Sequence, residues 1–243
     1  MDLITRLQHE RKGKMRSIYY ITQVQMAYNS NKIEGSRLSE EQTRSLFDTG
    51  QITAEKESET IKADDIFEAI NHFRAFDYIL DTVNEPISIS QLKQLHAILK
   101  KGTSDEDNPI TPIDDFKILP NVIGTIHEVQ TTAPENVVPE LNTLIHNYES
   151  LDVKNLEAIA DFHVAFETIH PFADGNGRIG RLIIFKECLR HSVIPFILNE
   201  EYRSLYYEGL NEYRNGSKIR LLDTFSASQD NYRDFLRRMQ FEI

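Results

Sequence analysis

Residues 170–181 read HPFADGNGRIGR, with three glycines, two arginines, an aspartate and an asparagine in one short run. The stretch decides the fold because both of its flanks are helical. Ahead of it, Ile159, Phe162, Phe166 and Ile169 recur at helical spacing, and the stripe stops at His170-Pro171. Proline disfavours the α conformation in the residue before it, so the helix ends there and His170 stands at its C-terminus. Behind it, Ile179, Leu182, Ile183, Ile184, Phe185, Cys188 and Leu189 make a helix that is apolar nearly all round, the pattern of a central, buried helix. The loop DGNG therefore opens onto the N-terminus of a buried helix.

That geometry suits an anion. A first helical turn leaves backbone N–H groups unpaired at the positive end of the helix dipole. Gly175 and Gly177 permit unusual dihedrals and a close approach to a ligand. Arg178 and Arg181, three apart, can lie on one side of that turn, and guanidinium forks match phosphate oxygens. A polyphosphate satisfies all of these features. Asp174 adds negative charge, a conflict that a divalent cation resolves, since Mg²⁺ commonly takes one or two carboxylates plus phosphate oxygens. His170 then suits a general base for an incoming hydroxyl. Taken alone, the loop could equally be a solvated helix–helix turn, and His170 a hydrogen-bonded cap. His163 and His170 are seven apart, but no further Cys/His set completes a zinc site.

Outward from the loop, the chain is helical by pattern. Leu3, Leu7, Ile18, Ile21 and Met26 mark an N-terminal helical region. Ser39 with Gln42 reads as a capping box. Ile66, Ala69, Ile70, Phe73, Phe76, Tyr78, Ile79 and Leu80 follow helical spacing, as do Leu92, Leu95 and Leu99 after a start at Ser90. Residues 102–113 read as a loop. Phe116 to Val129 is β-branched and broken by Pro-Asn and Gly, which predicts a small hairpin. Pro139 fits the first turn of a helix carrying Leu141, Leu144, Ile145 and Tyr148. Tyr232, Phe235 and Leu236 belong to a last helix with Arg237 and Arg238 at its C-terminal end. The expectation is an all-α fold, a single helical unit over residues 1–243, with one small β-hairpin.

Composition bounds the function. The chain of 243 residues has 27 Lys+Arg against 38 Asp+Glu, a net charge of −11, which argues against a nucleic-acid partner read through its phosphate backbone. Cys188 is the only cysteine, so no disulfide framework forms, and the N-terminus is too polar for a signal peptide. No apolar run approaches membrane-spanning length. The expected setting is cytoplasmic, with no membrane partner.

At HPFADGNGRIGR the chain resembles the Fic family, whose signature is His-x-Phe-x-Asp/Glu-Gly-Asn-Gly-Arg-x-x-Arg; every fixed position is matched. The likeness extends more loosely from about Ile66 to Phe225. It implies a Fic-type helical domain with a β-hairpin flap over the active site, and AMP transfer from ATP to a hydroxyl of a target protein. On this resemblance the N-terminal region is residues 1–60, the core 61–230 and the flap about 116–130. His170 would deprotonate the target hydroxyl, and Asp174 would hold Mg²⁺ or Mn²⁺. Gly175, Asn176 and Gly177 would form the anion hole, and Arg178 and Arg181 would hold the β- and γ-phosphates. Phe172 would anchor the loop from inside. Ile118, Ile123 and Gly124 would line the flap, which takes the target segment by strand addition. Family members often have Arg where Lys117 stands. The adenine pocket would lie under EEYRSLYYEGLNEY, with Tyr206, Tyr207 and Asn211 as candidates; the two tyrosines could equally pack helices.

The resemblance also picks out SNKIEG, residues 30–35, as the family's inhibitory pattern Ser/Thr-x-x-x-Glu-Gly/Asn. Ser30 and Glu34, four apart, share one helix face, and Gly35 can end that helix in the left-handed conformation. Glu34 would then pair with Arg181 and displace the γ-phosphate arm, placing the chain with members whose inhibitory helix precedes the motif. The leading expectation is a protein adenylyltransferase autoinhibited in cis, with itself as an automodification substrate and a homodimer possible. Alternatives are a hydrolase that removes AMP, with Glu34 orienting water, and a nucleotide-sensing interaction module without turnover. Phosphotransfer of the Doc type is disfavoured by Gly177 and Arg181, because that relative has Lys at the first position and lacks the second Arg.

Overall fold

The computed structural model describes residues 1–11, 13, 16–54, 60–123 and 129–242. Its order is α1 (Leu3–Glu10), α2 (Ile18–Ile33), α3 (Glu40–Thr49), α4 (Ala63–Asp81), α5 (Ile89–Lys100), β1 (Val122–Ile123), β2 (Val129–Gln130), α6 (Val137–Glu149), α7 (Leu156–Ile169), α8 (Asn176–Arg190), α9 (Arg203–Arg214) and α10 (Ile219–Arg238). The all-α expectation with a single two-stranded sheet is met among the described residues. None of their helices is long and apolar enough to cross a membrane.

Helix starts follow local chemistry. Asp2, Ser17, Ser39, Ser88 and Asn155 each cap a helix by accepting from a backbone N–H three residues on, and Ser39 with Gln42 forms the full capping box. The start of α5 is therefore capped by Ser88 and not by Ser90, which already lies within the helix. Both serines precede the same apolar stripe, and the pattern could not separate them.

Helix α8 lies at the centre. Its residues from Arg178 to Leu189 are all buried, and it packs on α2, α4, α5 and α7. One apolar core runs from Leu7 in α1 through α8 to Leu236 in α10. A smaller cluster joins Ala27, Leu38, Leu46, Ala69 and Phe73, seating α3 on α2 and α4. In α8 the buried Lys186 is paired: it donates to the Glu85 carbonyl at 2.7 Å and to Glu187 at 2.8 Å.

The contact between α7 and α8 depends on Gly180. A methyl there would stand 2.7 Å from Glu167 Oε1 and 2.8 Å from His163 Cε1. Alanine ordinarily gains up to about 1 kcal/mol over glycine within a helix. Overpacking costs roughly 1–3 kcal/mol. Gly180→Ala is expected to lose about 1–2 kcal/mol net, or about 2–8 °C in Tm. An unchanged or raised melting temperature would refute this packing.

The hairpin is shorter than the sequence suggested. Val122 pairs with Gln130 and Ile123 with Val129, antiparallel. Residues 116–120 are irregular and held by side chains instead of a ladder. Gly124, expected in the flap, lies outside the described residues.

Candidate active site

The site is built where α7 ends and α8 begins. His170 caps α7 in the left-handed conformation, φ 51° and ψ 61°, which carries its ring off the helix axis as Pro171 redirects the chain. Phe172 is fully buried and stacks on the His96 ring at 4.1 Å. Asn176 clamps the turn: its Oδ1 accepts from Phe172 N and its Nδ2 donates to Phe172 O, both at 2.9 Å. Its side chain thus braces the loop. Gly175 supplies the φ of 84° that turns the chain into α8. Gly177 is helical and serves by being small: a side chain there would collide with Glu34 Oε1.

His170 Nδ1 lies 3.3 Å from the Glu167 carbonyl. Assigning the ring proton to Nδ1, which donates to that carbonyl, leaves Nε2 with the lone pair. Burial, assisted by the charge of Lys117, pushes the imidazole down to about 4, so the ring is neutral near pH 7.

The Asp174 side chain is 54% exposed, yet Oδ2 already meets Lys100 Nζ at 2.7 Å and Arg178 Nη2 at 2.7 Å. Burial would raise this carboxyl, but Arg178 and Lys100 outweigh it and hold Asp174 well below the usual carboxylate range. Arg178 also pairs with Glu68, and Lys100 with Glu68 and Asp105. The conflict ascribed in the sequence to a missing cation is thus met in part by the chain's own lysine. No group of three or more His, Cys, Asp or Glu that could hold a metal occurs among the described residues. A divalent ion fits here only as a joint ligand of Asp174 and phosphate oxygens, a donor set Mg²⁺ accepts.

Arg181 is aimed at α2. Its Nη2 donates to Glu34 Oε1 at 2.6 Å and to the Ser30 carbonyl at 3.0 Å, and its Nε donates to Ser30 Oγ at 3.0 Å. Glu34 is the C-cap of α2, and Gly35 follows with φ 96°. The two arginines of the motif therefore face different partners, Arg178 toward Asp174 and Glu68 of α4 and Arg181 toward α2. Arg178 Nε and Arg181 Nη1 are buried without a hydrogen-bond partner among the described residues. Unpaired buried donors are costly, and an anion at the start of α8 would relieve them.

The remaining candidates divide. Tyr206 is 1% exposed, and its hydroxyl lies 2.8 Å from His163 Nε2, so it is a core residue and not a stacking platform for a base. Tyr207 is 38% exposed, and its hydroxyl reaches the Ile33 carbonyl at 3.5 Å, beside Glu34. Asn211 is half-buried on α9. Ile118 is exposed and precedes the strand, while Ile123 lies half-buried within it. Lys117, given little weight in the sequence, is buried and ties the flap to the motif. Its Nζ donates to Asn121 and Thr131 at 2.7 Å and to the Ile169 carbonyl at 3.2 Å, and its backbone N–H to Pro171 O at 2.9 Å. Burial lowers its ammonium to about 8. The sequence reading missed Lys100, Glu68 and Asp105 as neighbours of Asp174.

The site thus sets a neutral histidine at the lip of a helix start, beside a carboxylate and two buried arginines. Residues 86–187 match the family described as Fic/DOC. It is 26% identical to protein adenylyltransferase fic-1 of Caenorhabditis elegans over 219 residues, 86% of this chain and 40% of that protein. It is 28% identical to protein adenylyltransferase Fic of Aedes aegypti over 203 residues, 79% of this chain and 37% of that protein. The chain thus spans well under half the length of these relatives. The fold is that of a Fic domain containing signaling protein from Bacteroides thetaiotaomicron (TM-score 0.80, 20% identity, 98% of this chain and 97% of that one). Fic-1 from C. elegans also shares it (TM-score 0.67, 22% identity, 98% of this chain and 71% of that one).

Proposed function

We propose that the protein is an adenylyltransferase that moves AMP from ATP to a hydroxyl side chain of a target protein, held inactive in cis by Glu34. The observation that carries this reading is the pairing of Glu34 with the buried Arg181, seated over Gly177 at the first turn of α8. The likeness to protein adenylyltransferases supports the chemistry.

In this reading the backbone N–H groups at the start of α8, with Arg178 and Arg181, cradle the phosphates. His170 Nε2 takes the proton of the target hydroxyl. The hydroxyl oxygen bonds to the α-phosphorus, the bond to the bridging oxygen breaks, and pyrophosphate leaves. A divalent cation shared by Asp174 and the phosphates would neutralise charge on them. While Glu34 occupies Arg181 Nη2, that arginine cannot grip the γ-phosphate, and ATP lies in a pose unsuited to attack. Hydrolytic removal of AMP uses the same residues with water in place of the hydroxyl.

Intact-mass spectrometry of the Glu34→Gly chain after incubation with ATP and Mg²⁺ tests the reading. An AMP adduct is expected; a phosphate adduct, or no adduct on the chain or on added lysate proteins, overturns it. Asp174→Ala is expected to lower transfer at least tenfold and to flatten its response to Mg²⁺ and Mn²⁺, since roughly one charge-assisted contact is lost. Full activity in excess EDTA would contradict the metal's part. With His170 already the free base at neutral pH, kcat/KM of Glu34→Gly is expected to stay flat from about pH 8 down to about 5.5 and to fall only toward about 4. An acid limb centred on the ordinary histidine value would contradict the buried, neutral ring.

A further inference from the structure

Beneath the catalytic loop lies an ion network of which the reaction as described uses only Asp174 and Arg178. Lys100, on the last turn of α5, is 4% exposed and touches three carboxylates: Asp105 at 2.6 Å, Asp174 at 2.7 Å and Glu68 at 2.9 Å. Arg178, equally buried, spans Glu68 and Asp174. Three carboxylates thus share two fixed cations, leaving one negative charge in excess. The network is graded in depth. Asp174 is half open to solvent, Asp105 and Glu68 are 22% and 15% exposed, and Lys100 is enclosed.

We infer that Lys100 is a positioning residue that stands in for the divalent cation at Asp174 and surrenders that carboxylate when a metal–nucleotide arrives. This rests on the nucleotide-transfer reading above. A lone carboxylate beside a triphosphate is repulsive, and Lys100 removes that repulsion before any metal is present. A lysine with one carboxylate partner could not let go without leaving a buried, uncompensated ammonium. Lys100 keeps Glu68 and Asp105 when Asp174 turns to the metal, and Arg178 keeps Glu68. The excess carboxylate is what makes the handover feasible. Glu68 and Asp105 are therefore the acceptors of displaced charge, and they shape how strongly nucleotide binding depends on metal.

The readout is the ratio of the Kd for a nonhydrolysable ATP analogue in EDTA to its Kd in saturating Mg²⁺, by calorimetry on the full chain carrying Glu34→Gly. Lys100→Met is expected to raise the ratio roughly tenfold, the size of one charge-assisted hydrogen bond. Metal-free binding loses the screen on Asp174, while Mg²⁺ restores it. Glu68→Gln is expected to lower the ratio, because the network becomes more cationic without metal and Lys100 loses a place to retreat. Lys100→Arg should hold the ratio near that of the parent. A lysine that merely braced the fold, or merely attracted phosphate at a distance, would shift both constants together. An unchanged ratio in Lys100→Met or in Glu68→Gln, or equal movement of both variants in one direction, overturns the handover while leaving the transfer reading intact. If Lys100→Met does not fold, the Glu68→Gln arm decides alone. Absence of any nucleotide binding by the parent overturns the transfer reading, and the handover with it.

Discussion

His170→Ala is expected to abolish AMP transfer while ATP binding survives. In the proposed reading the phosphates would be held by the start of α8 and by Arg178 and Arg181, to none of which the imidazole hydrogen-bonds. Asn176 braces the turn through Phe172, independently of the ring. What is lost is the lone pair on Nε2, and removal of a general base costs on the order of 10²–10⁴ in rate. The comparison belongs in the Glu34→Gly background, where transfer is not already suppressed, with analogue binding measured in parallel. A His170→Ala variant that transfers AMP at a near-parental rate would remove the histidine from its role. One that also lost nucleotide binding would show that the ring supports the loop instead.

Glu34→Gly is expected to raise automodification and target modification strongly over a nearly silent parent. Its carboxylate meets Arg181 Nη2 at 2.6 Å, and both Ser30 contacts fall on the same guanidinium. Coulomb attraction in such a pair is offset by desolvation and ordering, so the net gate is roughly 1–3 kcal/mol, or about 5–150-fold in the competent population. Ser30→Ala removes the hydroxyl but leaves the Ser30 carbonyl on Arg181, so release should be weaker. Arg181→Ala should not mimic release, because it deletes the inhibitor's partner and the phosphate's ligand together. Initial rates of AMP incorporation by the four chains check this ordering; equal rates for parent and Glu34→Gly would end the autoinhibition claim.

The fold was legible where one segment carries its own signal. The stripe from Ile159 to Ile169, the stop at Pro171 and the all-round apolar run of α8 are periodicities within one helix, and each is met. The pairing of Glu34 with Arg181 was reached only through the resemblance, since 147 residues separate them. Long-range polar contacts with no family pattern stayed hidden. Lys100 and Asp174 are 74 apart in sequence, and nothing in LKK marks the first lysine as buried. Lys117 reads as a flap side chain until its three acceptors are seen converging beneath β1 and β2. Tyr206 and Tyr207 are adjacent in sequence, so spacing could not tell which faces the core. The helix turns one inward onto His163 and leaves the other at the surface beside α2. Ser88 and Ser90 illustrate the same limit at a helix start, where cap geometry decides and composition does not.

The central claim is that this loop presents the α-phosphorus of ATP to a hydroxyl and that Glu34 prevents it. Parallel incubations of the parent, Glu34→Gly and Glu34→Gly/His170→Ala with ATP labelled at the α- or the γ-phosphate test it most directly. The expected result is protein-bound label from the α-position only, strong in Glu34→Gly and near background in the other two. Label from the γ-position, or equal α-label in all three, would contradict the account.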